Sequence, residues 1–397
     1  MDTKSFETRT LFIERKNAEV EGYWPMAVDI GYSGVKGFSP NSVFCFPAYA
    51  NKVKGEILAL GSSSPLDIQY KDEHGTWNVG FTAIAQVSSG DTNDSIATLF
   101  GRNRYFSPMF LVLARVALAI GMTGNQFGGP GEKTPTLQTG LPPAYIKGDS
   151  KLIKEVLVGR HSFDVKIGNK PWKHYDFELS MDNIKVMSQP MGSLLSAALD
   201  NNCREIPAAS KYWSSNLLVL DAGFGTVDTF GIRRRQIEYP QSFNNLGMKA
   251  VLEETARTIL EKYDTEIEIT AMQKCLHDGY ITVFDRSNMT TSKQAFDDIL
   301  KESSQKVCSN VIERIKTSYN DLIDYDYLLV TGGTGAAWLE QIKSYFAGMK
   351  SLTIITGNQN DSLSHIFSNV RGYYLYQIGS LRKEAYEKQK EQKEQKA

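Results

Sequence analysis

Cysteine is scarce and carries no pattern. The four cysteines among the 397 residues, Cys45, Cys203, Cys275 and Cys308, lie far apart without CxxC spacing. They read as buried thiols of a reducing compartment, not as a disulfide frame or a zinc site. The opening MDTKSFETRTLFIERK lacks the apolar core of a secretory signal. The longest apolar stretch, FLVLARVALAIGM at 110–122, contains Arg115 and is too short to cross a bilayer. Charge of one sign is lacking too. Lys and Arg number 44 against 45 Asp and Glu, a net charge of -1, which gives no global electrostatic case for binding nucleic acid or an anionic membrane. His74, His161, His174, His277 and His365 have no metal-ligand spacing. Two familiar nucleotide signatures are missing as well: GxxxxGK[ST] occurs nowhere, and no GxGxxG opens a helix with an acidic residue at the right distance. These absences together predict a soluble cytoplasmic protein.

The composition is that of a globular protein, with 41% hydrophobic and 22% charged residues. The length suits two lobes of ordinary domain size rather than one small core. Residues 1–25 are polar, with one apolar island at Leu11 to Ile13, and read as an extension before the first core strand. Short β-branched runs at Met26 to Ile30, Ser42 to Phe46 and Trp77 to Val79 predict strands. Residues 107–121 have a helical apolar face and predict a buried helix. Thr136 to Leu141 reads as a core strand, and three strand-like pieces fill 160–187. Helices are expected at 149–157, 191–199, 248–263, 296–319 and 336–347, and strands at 217–220, 226–232 and 327–330. The charged tail EKQKEQKEQKA supports either a solvated helix or a frayed end. Strand clusters followed by helices predict an α/β protein.

Three turns carry the chemistry. In MAVDIGYSGVK an apolar strand delivers Asp29 to its end, and Gly31, Ser33 and Gly34 make a tight hairpin beyond it. Small residues let backbone N–H groups approach an anion, and Lys36 adds a donor. A carboxylate there would repel phosphate unless a cation lay between them, and Mg²⁺ prefers such oxygen ligands. LVLDAGFGTVD repeats the recipe with Asp221, Gly223, Gly225 and Thr226. One such hairpin is usually only a hairpin; two facing each other would clamp a polyphosphate. YDYLLVTGGTGAAWLEQI adds a strand, then Gly332-Gly333-Thr334-Gly335, then a helix, a turn able to receive a ribose and an α-phosphate.

With these three motifs in order, the chain resembles the actin, sugar-kinase and chaperone ATPase superfamily, and within it the ParM-type bacterial plasmid-segregation actins. The resemblance runs from Met26 to about Leu381 and includes TGLPPAYIKGD, KVMSQPMGSLLSA, FNNLGMK and NVRGYYLY. It implies a two-lobed actin-like fold, each lobe a mixed sheet flanked by helices, with residues 26–190 plus 372–397 in one lobe, 191–371 in the other, and 1–25 outside both. ATP, with GTP as a second candidate, would bind with Mg²⁺ in the cleft between them. Asp29 and Asp221 would hold the metal, Asp221 also lying near the attacking water. Gly31, Tyr32, Ser33, Gly34 and Lys36 would meet the phosphates from one side, and Gly223, Phe224, Gly225 and Thr226 from the other. Gly332, Gly333 and Thr334 would line the ribose, with Gly247 near the nucleoside. Gln189, where some ParM proteins carry glutamate, would orient the water without acting as a base.

What the resemblance implies about function is an ATPase that polymerises on binding ATP and segregates plasmid DNA through a centromere-binding adaptor. Its partners would be copies of itself and that adaptor, with DNA touched only indirectly, no membrane involved, and a bacterial cytoplasm as its setting. The basic triplet Arg233-Arg234-Arg235 reads as surface charge, with a filament or adaptor contact as the sharper alternative. A small-molecule kinase of the same superfamily is the competing function. It needs an acidic base aimed at a substrate hydroxyl, and no separate Asp or Glu motif looks like one.

Overall fold

The computed structural model describes residues 2–53, 64–86, 102–234 and 236–394. In chain order the strands that begin the fold are β1 (Leu11–Glu14), β2 (Tyr23–Ile30), β3 (Gly34–Ser39), β4 (Ser42–Pro47), β5 (Ala50–Lys52), β6 (Ile68–Asp72) and β7 (Gly75–Val79). After the helix Pro108–Gly121 come β8 (Thr134–Leu141), β9 (Gly159–Ile167), β10 (Lys173–Leu179) and β11 (Ile184–Ser188). The second half contributes β12 (Leu217–Ala222), β13 (Thr226–Arg233), β14 (Gln236–Asn244), the hairpin β15 (Ile281–Asp285) and β16 (Thr290–Gln294), then β17 (Tyr327–Thr331) and β18 (Thr353–Thr356). The protein is α/β, as its strand and helix pattern predicts.

Two large sheets repeat one plan. The first has the order β1-β4-β3-β2-β8-β11 and the second β14-β13-β12-β17-β18. In each, a three-strand antiparallel meander is followed by two strands parallel to its first strand. A third sheet, five-stranded and ordered β10-β9-β6-β7-β5, is also built from the first half of the chain.

Both central strands are buried on both faces, which explains why β2 and β12 read as continuous apolar runs. Met26, Val28 and Ile30 pack in the core under the helix Pro108–Gly121, while Ala27 belongs to a separate cluster with Val370, Tyr373 and Tyr374. Leu218, Leu220 and Ala222 face the second lobe's core, and Leu217 and Val219 face Leu194 and Ala197. By the two-residue period of strands, Asp29 shares a face with Ala27 and Asp221 with Val219. Those faces look onto two helices, Gln189–Ala198 and Ser368–Glu394. The two helices touch where a side chain on Gly372 would run into the Gly192 carbonyl. Only glycine permits that approach, and it brings the two aspartate strands to one cleft.

The helix Pro108–Gly121 is buried nearly all round, with eleven buried residues, and is capped by Ser107, whose hydroxyl accepts from the Phe110 N–H at 3.1 Å. Such a cap is worth about 1 kcal/mol. Gln189 opens its helix directly after β11, which stops at Ser188.

The segment read from sequence as an extension has structure of its own. β1 pairs antiparallel with β4, from Leu11 opposite Cys45 to Glu14 opposite Ser42. The apolar island Leu11 to Ile13 was the visible trace of that strand, but nothing local in the sequence says which sheet edge it joins. Arg15 then clamps Asp361 with two hydrogen bonds of 2.9 and 2.8 Å.

Candidate functional site

The two aspartate hairpins have the same closure. The Gly31 N–H donates to the Gly34 carbonyl at 3.0 Å, and the Gly223 N–H to the Thr226 carbonyl at 2.9 Å. Each leaves a two-residue tip, Tyr32-Ser33 and Phe224-Gly225. The tips meet: a Cβ on Gly225 would stand 2.6 Å from the Tyr32 ring. Arg104 stacks over that ring at 4.5 Å and donates to the Ile30 carbonyl. Gly31 is required on its own account, since a Cβ there would lie 2.9 Å from the Gly34 carbonyl oxygen.

Below the tips lie three carboxylates. Asp29 is 4% exposed, Asp221 4% and Asp228 2%. Lys36 reaches Asp29 at 3.3 Å, and the Gln189 side-chain amide donates to the other Asp29 oxygen at 3.2 Å. Burial, reinforced by the Asp29 charge, pushes the Asp221 carboxyl up to about 6. Burial again, with Asp221 as its charged neighbour, pushes Asp228 up to about 7, against the hydroxyls of Ser242 and Thr226 that favour its ionised form. A cluster of buried carboxylates is costly when charged, and a cation placed among them relieves that cost.

The third turn completes the enclosure. Gly332 sits at φ +84, in the left-handed region, and a Cβ there would lie 2.6 Å from Asp221 Oδ1. The Thr334 hydroxyl donates to the Gly223 carbonyl at 2.7 Å, locking the third turn onto the second. Asn369, from the helix Ser368–Glu394, donates to Asp221 at 2.6 Å and accepts from Ser193 at 2.6 Å; Ser193 in turn meets the Thr331 hydroxyl at 2.7 Å. This chain of buried hydrogen bonds fixes Asp221 from both crossing helices.

The enclosed cleft is about 840 Å³, within the usual size of a small-molecule site. Of the residues singled out in the sequence, Asp29, Gly31, Tyr32, Ser33, Lys36, Gln189, Asp221, Gly223, Phe224, Gly225, Thr226, Gly332, Gly333 and Thr334 line it. Gly34 and Gly247 do not. Gly34 lies under the Thr8 methyl, and Gly247 packs behind the second hairpin, where a Cβ would stand 2.5 Å from the carbonyl oxygens of Gly223 and Phe224. Its role is to let the helix Met248–Tyr263 start against that turn, with the Met248 N–H donating to Gly223 at 3.1 Å.

Sequence reasoning missed Asp228, Asn369 and Arg104 as site residues. Asp228 had a usable signal, because it stands opposite Asp221 on the returning strand. The other two arrive through long-range packing. Arg233 is engaged by Asp324 at 2.9 Å, Arg234 is exposed, and Arg235 lies outside the described residues.

Among the described residues no cluster of three or more His, Cys, Asp or Glu is placed to hold a metal by itself. The buried carboxylates of Asp29 and Asp221 suit Mg²⁺ nonetheless, because that ion keeps several waters and takes the rest of its shell from phosphate. No described helix is long and apolar enough to cross a membrane.

Residues 27–192 match the family model for the N-terminal domain of actin-like proteins. No curated protein sequence matches the chain. Among solved structures, a non-polymerisable quadruple mutant of the pCBH ParM is similar over 89% of this chain and 98% of that one, at 17% identity and a TM-score of 0.67. A 15-stranded ParM filament from Clostridium botulinum is similar over the same shares at 16% identity and 0.66. An archaeal actin homologue, Ta0583, solved with ADP, covers 88% and 98% at 16% identity and 0.59. Residues 27–192 thus match an actin-like N-terminal domain, and the chain as a whole has the fold of the ParM structures.

Proposed function

We propose that this protein is an ATPase that assembles into filaments on binding ATP and segregates plasmid DNA through a centromere-binding adaptor, hydrolysis destabilising the filament. The observation that carries this reading is the meeting of two side-chain-poor hairpins, from two sheets of the same plan, above buried carboxylates in one cleft. The pCBH and Clostridium botulinum ParM proteins and the ADP-bound archaeal homologue support it by their fold.

In this mechanism the hairpin backbones, with Ser33, Lys36 and Thr226, receive the phosphates, and the Gly332-Gly333-Thr334 turn receives the ribose end. Asp29 and Asp221 would hold Mg²⁺, which when bound neutralises phosphate charge. Gln189 has no basic group to offer. With its amide nitrogen on Asp29, its amide oxygen can accept from a water and orient it, so catalysis is positioning and turnover is slow. Near-neutral net charge suits indirect contact with DNA through the adaptor.

The test is light scattering of micromolar protein after addition of Mg²⁺ with ATP, and with GTP in parallel, followed by negative-stain imaging. Nucleotide-dependent filaments are expected. Their absence over a broad range of protein and salt concentration would shift the reading to a small-molecule kinase.

A further inference from the structure

Among the described residues, β1 has no counterpart in the second lobe. The five other strands of the first sheet repeat the order of the second, so β1 is an addition at the free edge of β4. Its purpose shows in where the chain comes from. Preceding β1, the Arg9 carbonyl accepts from the Cys45 thiol at 3.1 Å, and the Thr8 methyl lies against Gly34 of the first phosphate hairpin. The chain then crosses to the other lobe. Glu7 meets the His277 ring nitrogen at 2.5 Å, and Phe6, 6% exposed, packs into the second lobe's core. The Thr3 N–H donates to Asp297 at 2.9 Å, at the start of the helix Asp297–Ser318. Lys4 through Arg9 line the same cleft as the hairpins.

We propose that residues 3–11 are a strap that clamps the two lobes and gates nucleotide exchange, a reading that rests on the nucleotide site proposed above. The cleft cannot widen while both ends of the strap are held. The two ends differ in strength: β1 is fixed by a four-residue ladder, whereas the leading end depends on one buried aromatic and a few hydrogen bonds. The leading end therefore releases first. Exchange follows when Phe6 lifts from the second lobe and β1 stays in its sheet.

The experiment uses the full chain and a fluorescent N-methylanthraniloyl ADP, chased with excess ADP in a stopped-flow instrument. Phe6→Ala is expected to release the analogue at least tenfold faster than the parent. The pair Thr3→Cys and Gly279→Cys, where a Cβ on Gly279 would stand 3.8 Å from the Thr3 hydroxyl, is expected to slow release at least tenfold when oxidised and to recover on reduction. Gly279→Cys alone is the control for strain at its φ of +78. Small-angle scattering without nucleotide is the independent arm, and Phe6→Ala should enlarge the radius of gyration. Parental release rates in both variants overturn the gate, and an unchanged radius overturns the clamp. If Phe6→Ala does not fold, the cysteine pair decides the gate alone. A parent that binds no analogue sinks the nucleotide site and the gate together, and the scattering arm then decides the clamp.

Discussion

Replacing Asp228 by asparagine should make the nucleotide-free protein more stable at alkaline pH. Asp228 is 2% exposed and shares its surroundings with Asp221, opposite it in the strand register. Burial and that neighbour hold its carboxyl at about 7, against 3.8 in an unfolded chain. The direction of the pH effect follows from this raised value. Below 3.8 both states are protonated and the group costs nothing. As pH rises from there to about 7, the unfolded chain ionises while the folded chain keeps its proton, so stability falls, and it levels off above 7. At about 1.4 kcal/mol per pKa unit the full penalty is about 4 kcal/mol, of which about 3 kcal/mol falls between pH 5 and pH 8. Asparagine keeps an oxygen for the Thr226 hydroxyl, which donates to Asp228 at 2.9 Å, and turns a neutral amide toward Asp221. Thermal and urea unfolding at pH 5 and pH 8, in EDTA and without nucleotide, should give a variant close to the parent at pH 5 and several degrees more stable at pH 8. A variant with the parent's pH slope, or one less stable than the parent at pH 8, would refute the reasoning.

Other substitutions separate the roles of neighbouring groups. Asp221→Ala should fold normally, by circular dichroism and melting temperature, and release no phosphate from ATP; normal phosphate release would remove Asp221 from the mechanism. Gln189→Ala should bind nucleotide as the parent does and slow single-turnover hydrolysis by about 10- to 100-fold, the scale of one positioning group. Gly332→Ala adds a side chain at φ +84 against Asp221; strain on the order of 1–3 kcal/mol should lower the melting temperature and weaken nucleotide binding in calorimetry. Asn369→Ala removes the 2.6 Å donor to Asp221 and so raises that carboxyl further. Its Mg²⁺-nucleotide affinity should fall by about tenfold at pH 6 and recover toward pH 8, as measured by titration at both pH values.

Much of the fold was legible because local signals agreed with tertiary context. β2 and β12 announced themselves as apolar runs ended by an aspartate and glycines, and the helices 107–121 and 248–263 by their spacing. The three turns were legible for the same reason, since glycine at Gly31, Gly225 and Gly332 answers steric demands that only a close approach creates. What the sequence hid was long-range. Asn369 lies 148 residues from Asp221, and Arg104 reaches Tyr32 across 72 positions of chain. Neither carries a local pattern that names its partner. Gly247 was read as approaching the nucleoside, yet it supports the back of a hairpin, because both uses of glycine look alike in one dimension. The N-terminal segment was set outside the lobes for a related reason. A four-residue strand and a single buried Phe6 are too short for periodicity to register.

The central claim is that the hairpins at Asp29 and Asp221 and the turn at Gly332 form one site for a magnesium-bound nucleotide. Isothermal titration of the full chain with ATP and with ADP, in the presence and absence of Mg²⁺, tests it most directly. The account predicts one site per chain, tighter with Mg²⁺ and abolished by Asp221→Ala. Absence of binding heat for either nucleotide, or affinity indifferent to both Mg²⁺ and Asp221, would contradict it.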